Sequence, residues 1–271
     1  MKVAAIQMVS CADVQTNVTQ AGQLLQEAAD AGAELAVLPE YFCLMGHSDV
    51  DKLALAEPYG AGPLQQFLAS AARELGLWLV GGTIPLAASD AAHVCNSTLV
   101  YAPDGICVAR YDKIHLFCFD NGVECYDESV VLQAGQQPTH FDLDARDGQR
   151  WRIGLSVCYD LRFADLYRAY ASAGAHLLLV PSAFTYTTGQ DHWEVLLRAR
   201  AIENLAFVLA AAQGGVHDNR RRTWGHTMAI DPWGRVLAQR DQSACVVLAE
   251  LDFAQLQACR AQLPALQHRA L

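Results

Sequence analysis

The sequence predicts a single α/β domain, and three observations lead to this expectation. Short apolar runs alternate along the chain with segments whose apolar residues recur at helical spacing. The chain has 271 residues, a size that one α/β domain commonly reaches. Hydrophobic residues make up 52% and charged residues 18%, which is ample for a sizeable core. The sequence contains no internal repeat, linker or low-complexity segment, so we expect one domain over 1–271.

The first half of the chain alternates strand and helix patterns. A proline-aspartate-glycine turn at Pro103–Gly105 predicts a β-hairpin between two flanking strands. A first helix is indicated by Ala21, Leu24, Leu25, Ala28 and Ala29, with Asn17 as its expected cap, and a second helix by Leu64 to Leu75. The predicted strands are Val3 to Met8, Leu35 to Leu38, Trp78 to Gly82, Cys95 to Tyr101 and Ile106 to Ala109.

The second half begins with a long irregular stretch from Lys113 to Pro138. Loops of this length inside a compact domain are usually functional. Regular patterns then resume up to the last predicted strand. The predicted strands are Trp151 to Val157, Leu177 to Val180, Phe207 to Ala212, Thr227 to Ile230 and Val246 to Glu250, and the predicted helices are Phe163 to Ala173 and His192 to Asn204.

Cys158 stands where a buried strand pattern ends and a polar turn leads into a helix pattern. Backbone N–H groups and the positive end of a helix dipole favour a thiolate or an oxyanion at such a position. The alternative is an inert cysteine, because free cysteines usually act as small buried hydrophobes. Ser156 is a poor nucleophile candidate, because Cys158 replaces the second glycine of a Gly-x-Ser-x-Gly elbow.

Glu40 and Lys113 could supply the base and the cation that a reactive thiol needs. Glu40 follows an apolar strand and a proline, and burial makes a carboxylate a better proton acceptor. The alternative for Glu40 is a loop or helix-capping role. Lys113 precedes an apolar stretch, which makes a buried ammonium plausible, whereas most loop lysines are solvated.

Together these segments resemble the nitrilase superfamily of carbon–nitrogen hydrolases, and the resemblance extends along nearly the whole chain. The chain is most similar to the deaminated glutathione amidases of that superfamily, and the omega-amidases share much of the pattern. The matching runs are Val3–Met8, Leu38-Pro-Glu40, Tyr111-Asp-Lys113-Ile-His-Leu-Phe117, Val157-Cys158-Tyr-Asp-Leu-Arg-Phe163, Pro181–Phe184, His192–Glu203, Gly225–Gly234 and the tail Leu263–Arg269.

The resemblance implies a four-layer α-β-β-α sandwich and a cysteine mechanism. Glu40 would take the proton of Cys158, and the thiolate would attack an amide carbon. Lys113 and the backbone N–H of Tyr159 would hold the oxyanion, and water activated by Glu40 would hydrolyse the thioester. The resemblance also implies a second glutamate that orients the lysine. Glu128 is the better match, and Glu124 on the same loop stays open, with a solvated loop charge as the alternative for the unused residue.

The acyl side of the substrate is expected to meet the segment from Phe184 to Gly189, which reads as a loop before a helix beginning near Asp191. Thr187, Thr188 and the N–H groups at that helix start could bind a carboxylate. Alternatively, the threonines only cap the helix.

Arginines are given structural or solvent-facing roles by the sequence. We expect Arg162 to pair with Asp160 rather than to touch the substrate. The run Arg220-Arg-Arg222 could attract a peptide carboxylate, but a solvated loop is the favoured interpretation.

Composition excludes several function classes. A net charge of −10 argues against nucleic acid, whose phosphates would repel such a surface. No apolar run is long enough to span a bilayer, and no stretch resembles a signal peptide, so no membrane partner is expected. The nine histidines and nine cysteines show no zinc-type spacing, and no metal or cofactor is expected. The odd number of cysteines favours free thiols and a reducing cytoplasm.

The expected function is hydrolysis of a small carboxylated amide, a small-molecule substrate. The favoured substrate is deaminated glutathione, giving 2-oxoglutarate and cysteinylglycine, and the alternative is 2-oxoglutaramate, giving ammonia. A catalytically silent scaffold would be expected to have lost an activated group, and none is missing here.

Relatives in the superfamily usually form dimers, so a homodimer or a higher homo-oligomer is expected. The apolar residues of the C-terminal region lie either at this interface or within the subunit. They are Leu251, Phe253, Leu256, Leu263 and Leu266.

Overall fold

The computed structural model describes residues 1–268 and 270. Its helices are α1 (Val14–Asp30), α2 (Asp51–Ala54), α3 (Pro63–Leu75), α4 (Ala164–Ser172), α5 (Tyr186–Asn204) and α6 (Phe253–Gln262), and short 3-10 helices cover Glu128–Val130, Cys158–Arg162 and Ala265–Gln267. Its strands are β1 (Lys2–Gln7), β2 (Leu35–Val37), β3 (Trp78–Val80), β4 (Ile84–Ala87), β5 (Val94–Tyr101), β6 (Cys107–Asp112), β7 (Cys118–Asp120), β8 (Cys125–Asp127), β9 (His140–Asp144), β10 (Arg150–Leu155), β11 (Leu177–Leu179), β12 (Phe207–Ala210), β13 (Gly214–Val216), β14 (Arg222–Trp224), β15 (Met228–Ile230), β16 (Val236–Gln239) and β17 (Cys245–Glu250).

Two mixed sheets form the centre of the molecule. The first has the order β17-β1-β2-β3-β5-β4, with β6 paired to β5, and the second has the order β16-β15-β12-β11-β10-β9. In each sheet three neighbouring strands run parallel, namely β1-β2-β3 and β10-β11-β12. Two further hairpins, β7-β8 and β13-β14, stand apart from these sheets.

The sheets pack face to face, because residues of β1 alternate between two cores. Val3 and Ala5 belong to the core between the sheets, whereas Ala4 and Ile6 belong to the core beneath α1 and α3. Both faces of the strand are therefore buried, as in sheets covered on both sides. Helices α4 and α5 cover the outer face of the second sheet. The four-layer α-β-β-α sandwich is thus confirmed.

Most predicted elements are present with their ends moved by one or two residues. The turn at Pro103–Gly105 joins β5 and β6 as predicted, and Gly105 takes the left-handed φ of +82° there. Strands β4, β9 and β16, both small hairpins and helix α6 were not predicted. They are short or exposed, so their hydrophobic periodicity is weak.

The prediction that Asn17 caps the first helix was wrong. The helix begins at Val14, and the side chain of Asp13 accepts from the Thr16 N–H at 2.7 Å. Asn17 lies buried in the helix, where its amide bonds the backbone of Cys11 and Cys43. The apolar face therefore starts one turn earlier than the alanine and leucine spacing indicated.

The start predicted for the helix near Asp191 was also wrong, because α5 begins at Tyr186. Polar residues fill its first turns, which hid the helical pattern in the sequence.

Most of the apolar C-terminal residues pack within the subunit. Leu251 and Leu256 are buried, and Phe253 packs edge-on against Trp151. Leu263 is exposed. Arg269, the end of the matching tail, lies outside the described residues.

Candidate active site

Three strand ends bring Glu40, Lys113 and Cys158 together. Glu40 follows β2, Lys113 follows β6 in the same sheet, and Cys158 follows β10 in the other sheet. The Nζ atom of Lys113 lies 2.9 Å from Oε1 of Glu40, and Cys158 and Glu40 line the same cavity. All three residues are buried. The distant positions named by the sequence therefore meet at one point.

The Glu40 carboxylate is held at both oxygens. Asn96 Nδ2 donates to Oε1 at 2.9 Å, and the Ala183 N–H donates to Oε2 at 2.8 Å. Asn96 comes from β5 of the first sheet, whereas Ala183 follows β11 of the second. These contacts orient the carboxylate toward both Lys113 and Cys158.

The backbone beneath Glu40 approaches Gly82 closely. Gly82 has a left-handed φ of +53°, and a Cβ atom there would lie 2.1 Å from the carbonyl oxygen of Pro39. Glycine is required on both counts, since left-handed φ is strained for other residues and the space is absent. The strand end that carries Glu40 thus rests on a glycine.

Glu128, and not Glu124, is the glutamate that contacts Lys113. Its Oε2 and Oε1 atoms lie 2.7 and 3.0 Å from Nζ of Lys113, and it also accepts from the Tyr41 hydroxyl and the Phe117 N–H. Glu124 lies on the β7-β8 hairpin and accepts from the Thr187 hydroxyl at 2.6 Å. Glu124 is therefore hydrogen-bonded rather than simply solvated.

Lys113 and Glu128 are both buried, and each stabilises the charged form of the other. Burial alone would lower the pKa of Lys113, but the carboxylates of Glu128 and Glu40 outweigh it and raise that pKa. Burial would raise the pKa of Glu128, but the ammonium of Lys113 outweighs it and lowers that pKa. At neutral pH we therefore expect a protonated Lys113 beside an ionised Glu128.

Cys158 begins a 3-10 helix in a strained conformation. Its φ is +49°, and its N–H donates to the carbonyl of Pro181 at 3.0 Å. Burial and then the negative charge of Glu40 raise the pKa of its thiol. At neutral pH we therefore expect a neutral thiol at Cys158.

Asp160 fixes the loop that carries the cysteine. It accepts from the Val157 N–H at 2.9 Å and the Tyr111 hydroxyl at 2.6 Å, and it bonds His115 through that residue's backbone and ring nitrogens. It thereby joins the cysteine loop to the segment around Lys113. The expected pair with Arg162 was wrong, because these four contacts occupy both carboxylate oxygens.

A small cavity opens at Glu40 and Cys158. Three of the four predicted substrate-binding residues, Tyr159, Phe184 and Thr188, line it, and Lys113 lies behind the carboxylates. Thr187 is not part of the lining and instead binds Glu124. The lining consists of Glu40, Phe117, Glu128, Cys158, Tyr159, Arg162, Ala183, Phe184, Thr185, Thr188 and Arg221.

Two arginines of the cavity wall were not assigned to the site from the sequence. Arg162 packs over the rings of Tyr159 and Phe184, and Nη1 lies 3.2 Å from Nδ1 of His192. In the run 220–222, the outer two arginines are exposed as expected, but Arg221 is half-buried and lines the cavity. Nothing in the sequence Arg220-Arg-Arg222 distinguishes Arg221 from its two exposed neighbours.

The described residues include no group of three or more histidine, cysteine, aspartate or glutamate side chains placed to hold a metal ion. Over the same residues, no helix is long and apolar enough to cross a membrane. All nine cysteines are free thiols.

Comparison with known proteins gives matches over nearly the whole chain. The family model for carbon-nitrogen hydrolases matches residues 2–261. A protein of Synechocystis sp. named deaminated glutathione amidase is 41% identical over 98% of this chain and 97% of its own length. Human omega-amidase NIT2 is 35% identical over 99% of this chain and 94% of its own length.

Solved structures show the same architecture. Nit3 of Saccharomyces cerevisiae, a member of branch 10 of the nitrilase superfamily, superposes with a TM-score of 0.88 at 28% identity, covering 100% of this chain and 97% of Nit3. The NitFhit protein of Caenorhabditis elegans gives a TM-score of 0.88 at 37% identity, over 99% of this chain. This chain spans only 65% of NitFhit.

Proposed function

Because this chain belongs to the carbon–nitrogen hydrolase family and is similar to proteins named as amidases, we propose that it hydrolyses a small carboxylated amide. The proposed catalytic residues are Cys158, Glu40 and Lys113. The observation that carries the proposal is Lys113 held between two carboxylates beside a buried thiol, at the floor of a cavity. A nucleophile, a base and a cation within hydrogen-bonding reach are what acyl transfer requires.

In the proposed reaction, the sulfur of Cys158 attacks the amide carbon while its proton passes to Glu40. A C–S bond forms, and the carbonyl oxygen becomes an oxyanion facing Lys113 and the N–H of Tyr159. The C–N bond then breaks, and Glu40 gives its proton to the departing nitrogen. This step leaves a thioester and a free amine.

Water completes the cycle. Glu40 takes a proton from the water, whose oxygen attacks the thioester carbon. The C–S bond breaks, and the proton returns to the sulfur as the carboxylic acid leaves. Glu128 does not touch the reacting atoms, and its role is to position Lys113 with its two oxygens.

The substrate proposed is deaminated glutathione, which would give 2-oxoglutarate and cysteinylglycine. The 41% identity to a protein named for this activity supports the choice. Arg162 supports it as well, because a guanidinium on the cavity wall suits the carboxylate of an oxo acid. The second candidate is 2-oxoglutaramate, supported by 35% identity to human omega-amidase over nearly the whole chain.

The test is the release of 2-oxoglutarate by purified protein from each of the two amides. We expect turnover of both, with the larger kcat/KM for deaminated glutathione. A larger value for 2-oxoglutaramate would favour the second candidate. Negligible turnover of both would reject the substrate class.

We also infer a cytoplasmic homodimer. Nine free thiols suit a reducing compartment. Exposed apolar side chains on α5 and on the turn beside it, Val195, Ile202 and Trp233, support a subunit interface there.

A further inference from the structure

Arg221 is a cation of the cavity wall whose charge the protein leaves unpaired. Its Nε atom is buried and has no hydrogen-bond partner among residues 1–268 and 270. None of the ion pairs within 4.0 Å in this part of the chain includes it. A buried donor without a partner is destabilising, so such a group calls for a functional explanation.

The position of Arg221 is nevertheless well defined. Its guanidinium lies over the ring of Tyr126, 5.0 Å from the centroid, and the backbone N–H of Arg221 donates to Asn219 Oδ1 at 2.8 Å. Asn219 in turn donates to the carbonyl of Gly46 at 2.6 Å. The nearby Asp49 forms its ion pair with Lys52, and no ion pair within 4.0 Å joins it to Arg221. The cation is therefore held in place and left free to bind an anion.

Arg221 and Arg162 occupy different walls of the cavity. Arg162 lies four residues beyond the nucleophile, over Tyr159 and Phe184. Arg221 belongs to the loop between β13 and β14, which rests on the segment that follows Glu40. That segment also contains Tyr41, the residue after Glu40. One guanidinium thus stands on the nucleophile side and the other on the base side.

The side that carries the base is the side on which the amine departs, because Glu40 protonates the leaving nitrogen. We propose that Arg221 binds a carboxylate on the leaving group, so that the cavity selects amides with a negative charge on each side of the scissile bond. This inference rests on the proposed function. Deaminated glutathione has such charges, on its oxo acid and on its glycine, whereas 2-oxoglutaramate has only the first.

The experiment compares three substrates on the whole protein: deaminated glutathione, its C-terminal amide, in which the glycine carboxylate is neutral, and 2-oxoglutaramate. Wild type should lose about 10- to 100-fold in kcat/KM when the glycine carboxylate is masked, as expected for one charge-assisted hydrogen bond. Arg221→Met should lose the same factor on deaminated glutathione and nothing on the other two substrates. In that variant, deaminated glutathione and its amide should have the same kcat/KM. The four kcat/KM values, for two proteins and two substrates, then form a double-mutant cycle that isolates the interaction between Arg221 and the glycine carboxylate.

Arg222→Met is the matched control. It removes a neighbouring positive charge that is exposed, lies over Tyr186 and is not part of the cavity lining. All three substrates should react with it as with wild type, and thermal melting should show that both variants are folded.

An equal loss by Arg221→Met on all three substrates would overturn the inference, and so would no loss on any. Either result would leave the proposed function standing, because the wild type would still turn over its substrates. If the wild type hydrolyses none of the three, the proposed function and this inference fail together.

Discussion

Cys158 combines three properties that follow from its position after a strand. It is buried, its backbone φ is +49°, and its thiol lies beside Glu40 with a raised pKa that comes first from burial and then from the charge of Glu40. A thiol that stays protonated at rest resists oxidation and stray alkylation. In the proposed mechanism, Glu40, which after burial contributes most to the raised pKa of the thiol, is also the group that takes its proton.

Cys158→Ala should abolish hydrolysis and leave the fold intact. Removing a nucleophile costs roughly four to six orders of magnitude in kcat. Alanine has the same strain at positive φ as cysteine and loses only one buried sulfur, so the melting temperature should change by no more than about 5 °C. The measurements are amide turnover and thermal melting. Turnover within tenfold of wild type would contradict the role given to the sulfur.

The raised pKa of Cys158 also predicts an alkaline loss of stability. A thiol whose pKa is higher in the folded state stabilises the fold fully below the unfolded pKa, about 8.5, and this contribution is lost as pH rises toward the folded value. Relative to Cys158→Ser, wild type should lose about 1.4 kcal/mol of unfolding free energy per pH unit above about pH 8.5. Urea unfolding at pH 7 to 10 measures this difference. Parallel curves for the two proteins would contradict the assignment.

Some residues of the candidate site could be predicted from the sequence, and others could not. Glu40, Lys113 and Cys158 follow strand patterns closely, and the resemblance to the nitrilase superfamily then implied their roles. The choice between Glu124 and Glu128 needed the path of an irregular loop, which long-range contacts such as Tyr41 to Glu128 determine. Arg221 escaped because its inward turn depends on Tyr126 and Asn219, neither of which marks it in the sequence.

At the scale of elements, short segments between strands position the site. The Gly82 carbonyl accepts from the Thr98 hydroxyl at 2.7 Å, and the next residue, Thr83, accepts from the Tyr41 N–H at 2.9 Å. The turn after β3 therefore fixes the turn after β2. Placement of Glu40, the proposed general base, thus depends on a loop that contributes no group to the proposed reaction.

Gly82→Ala should lower kcat more than the addition of a single methyl group would suggest. The added Cβ would meet the Pro39 carbonyl at 2.1 Å and push away the segment that carries Glu40. A displacement near 1 Å at a reacting group costs about a hundredfold in rate, so kcat should fall by about that factor. Steady-state kinetics on the soluble variant measures it.

Gly76→Ala is the control for backbone strain. Gly76 ends α3 with a φ of +62°, and a Cβ atom there meets nothing within 4 Å. This variant should lose about 1–2 kcal/mol of stability and keep its kcat. Similar kcat values for the two variants would show that contact with Pro39 is unimportant.

Elements with strong periodicity were predictable, and those stabilised by tertiary contacts were not. The β5-β6 hairpin and α3 follow from local signals, a Pro-Asp-Gly turn in one case and a proline start with a glycine end in the other. The β7-β8 hairpin has a turn signal at Asn121-Gly122, but its strands have only three residues each and were not predicted as strands. The hairpin packs Phe119 and Tyr126 against Phe117 near the cavity. Its formation depends on the site that it borders.

At the scale of the whole molecule, the groups proposed to react come from two different sheets. Glu40 and Lys113 come from the first sheet and Cys158 from the second, with Ala183 of the second sheet bonded to Glu40. The resemblance to the nitrilase superfamily implied this sandwich, and both faces of β1 and β2 are buried as such a packing requires. The resemblance could not give the relative positions of the two sheets with the accuracy that a hydrogen bond between them requires.

The proposed homodimer predicts a mass in solution of twice the monomer mass of 29.5 kDa. Ile202 is 47% exposed on α5, so Ile202→Lys should place a charge in the interface and shift the mass toward the monomer. Sedimentation equilibrium measures this. Ile106→Lys, at a position 61% exposed on the β5-β6 turn, is the control and should remain dimeric. A monomeric wild type at micromolar concentration would contradict the proposal.

The pairing of β17 with β1 ties the last strand of the chain to the first, through six residue pairs from Lys2 to Gln7. During synthesis on the ribosome, β1 therefore keeps one open edge until Cys245–Glu250 has emerged. A growing polypeptide would then hold its thiol, base and ammonium without the closed scaffold that aligns them. We therefore expect amide hydrolysis only from polypeptides that include Cys245–Glu250, so that products truncated before this strand stay inactive.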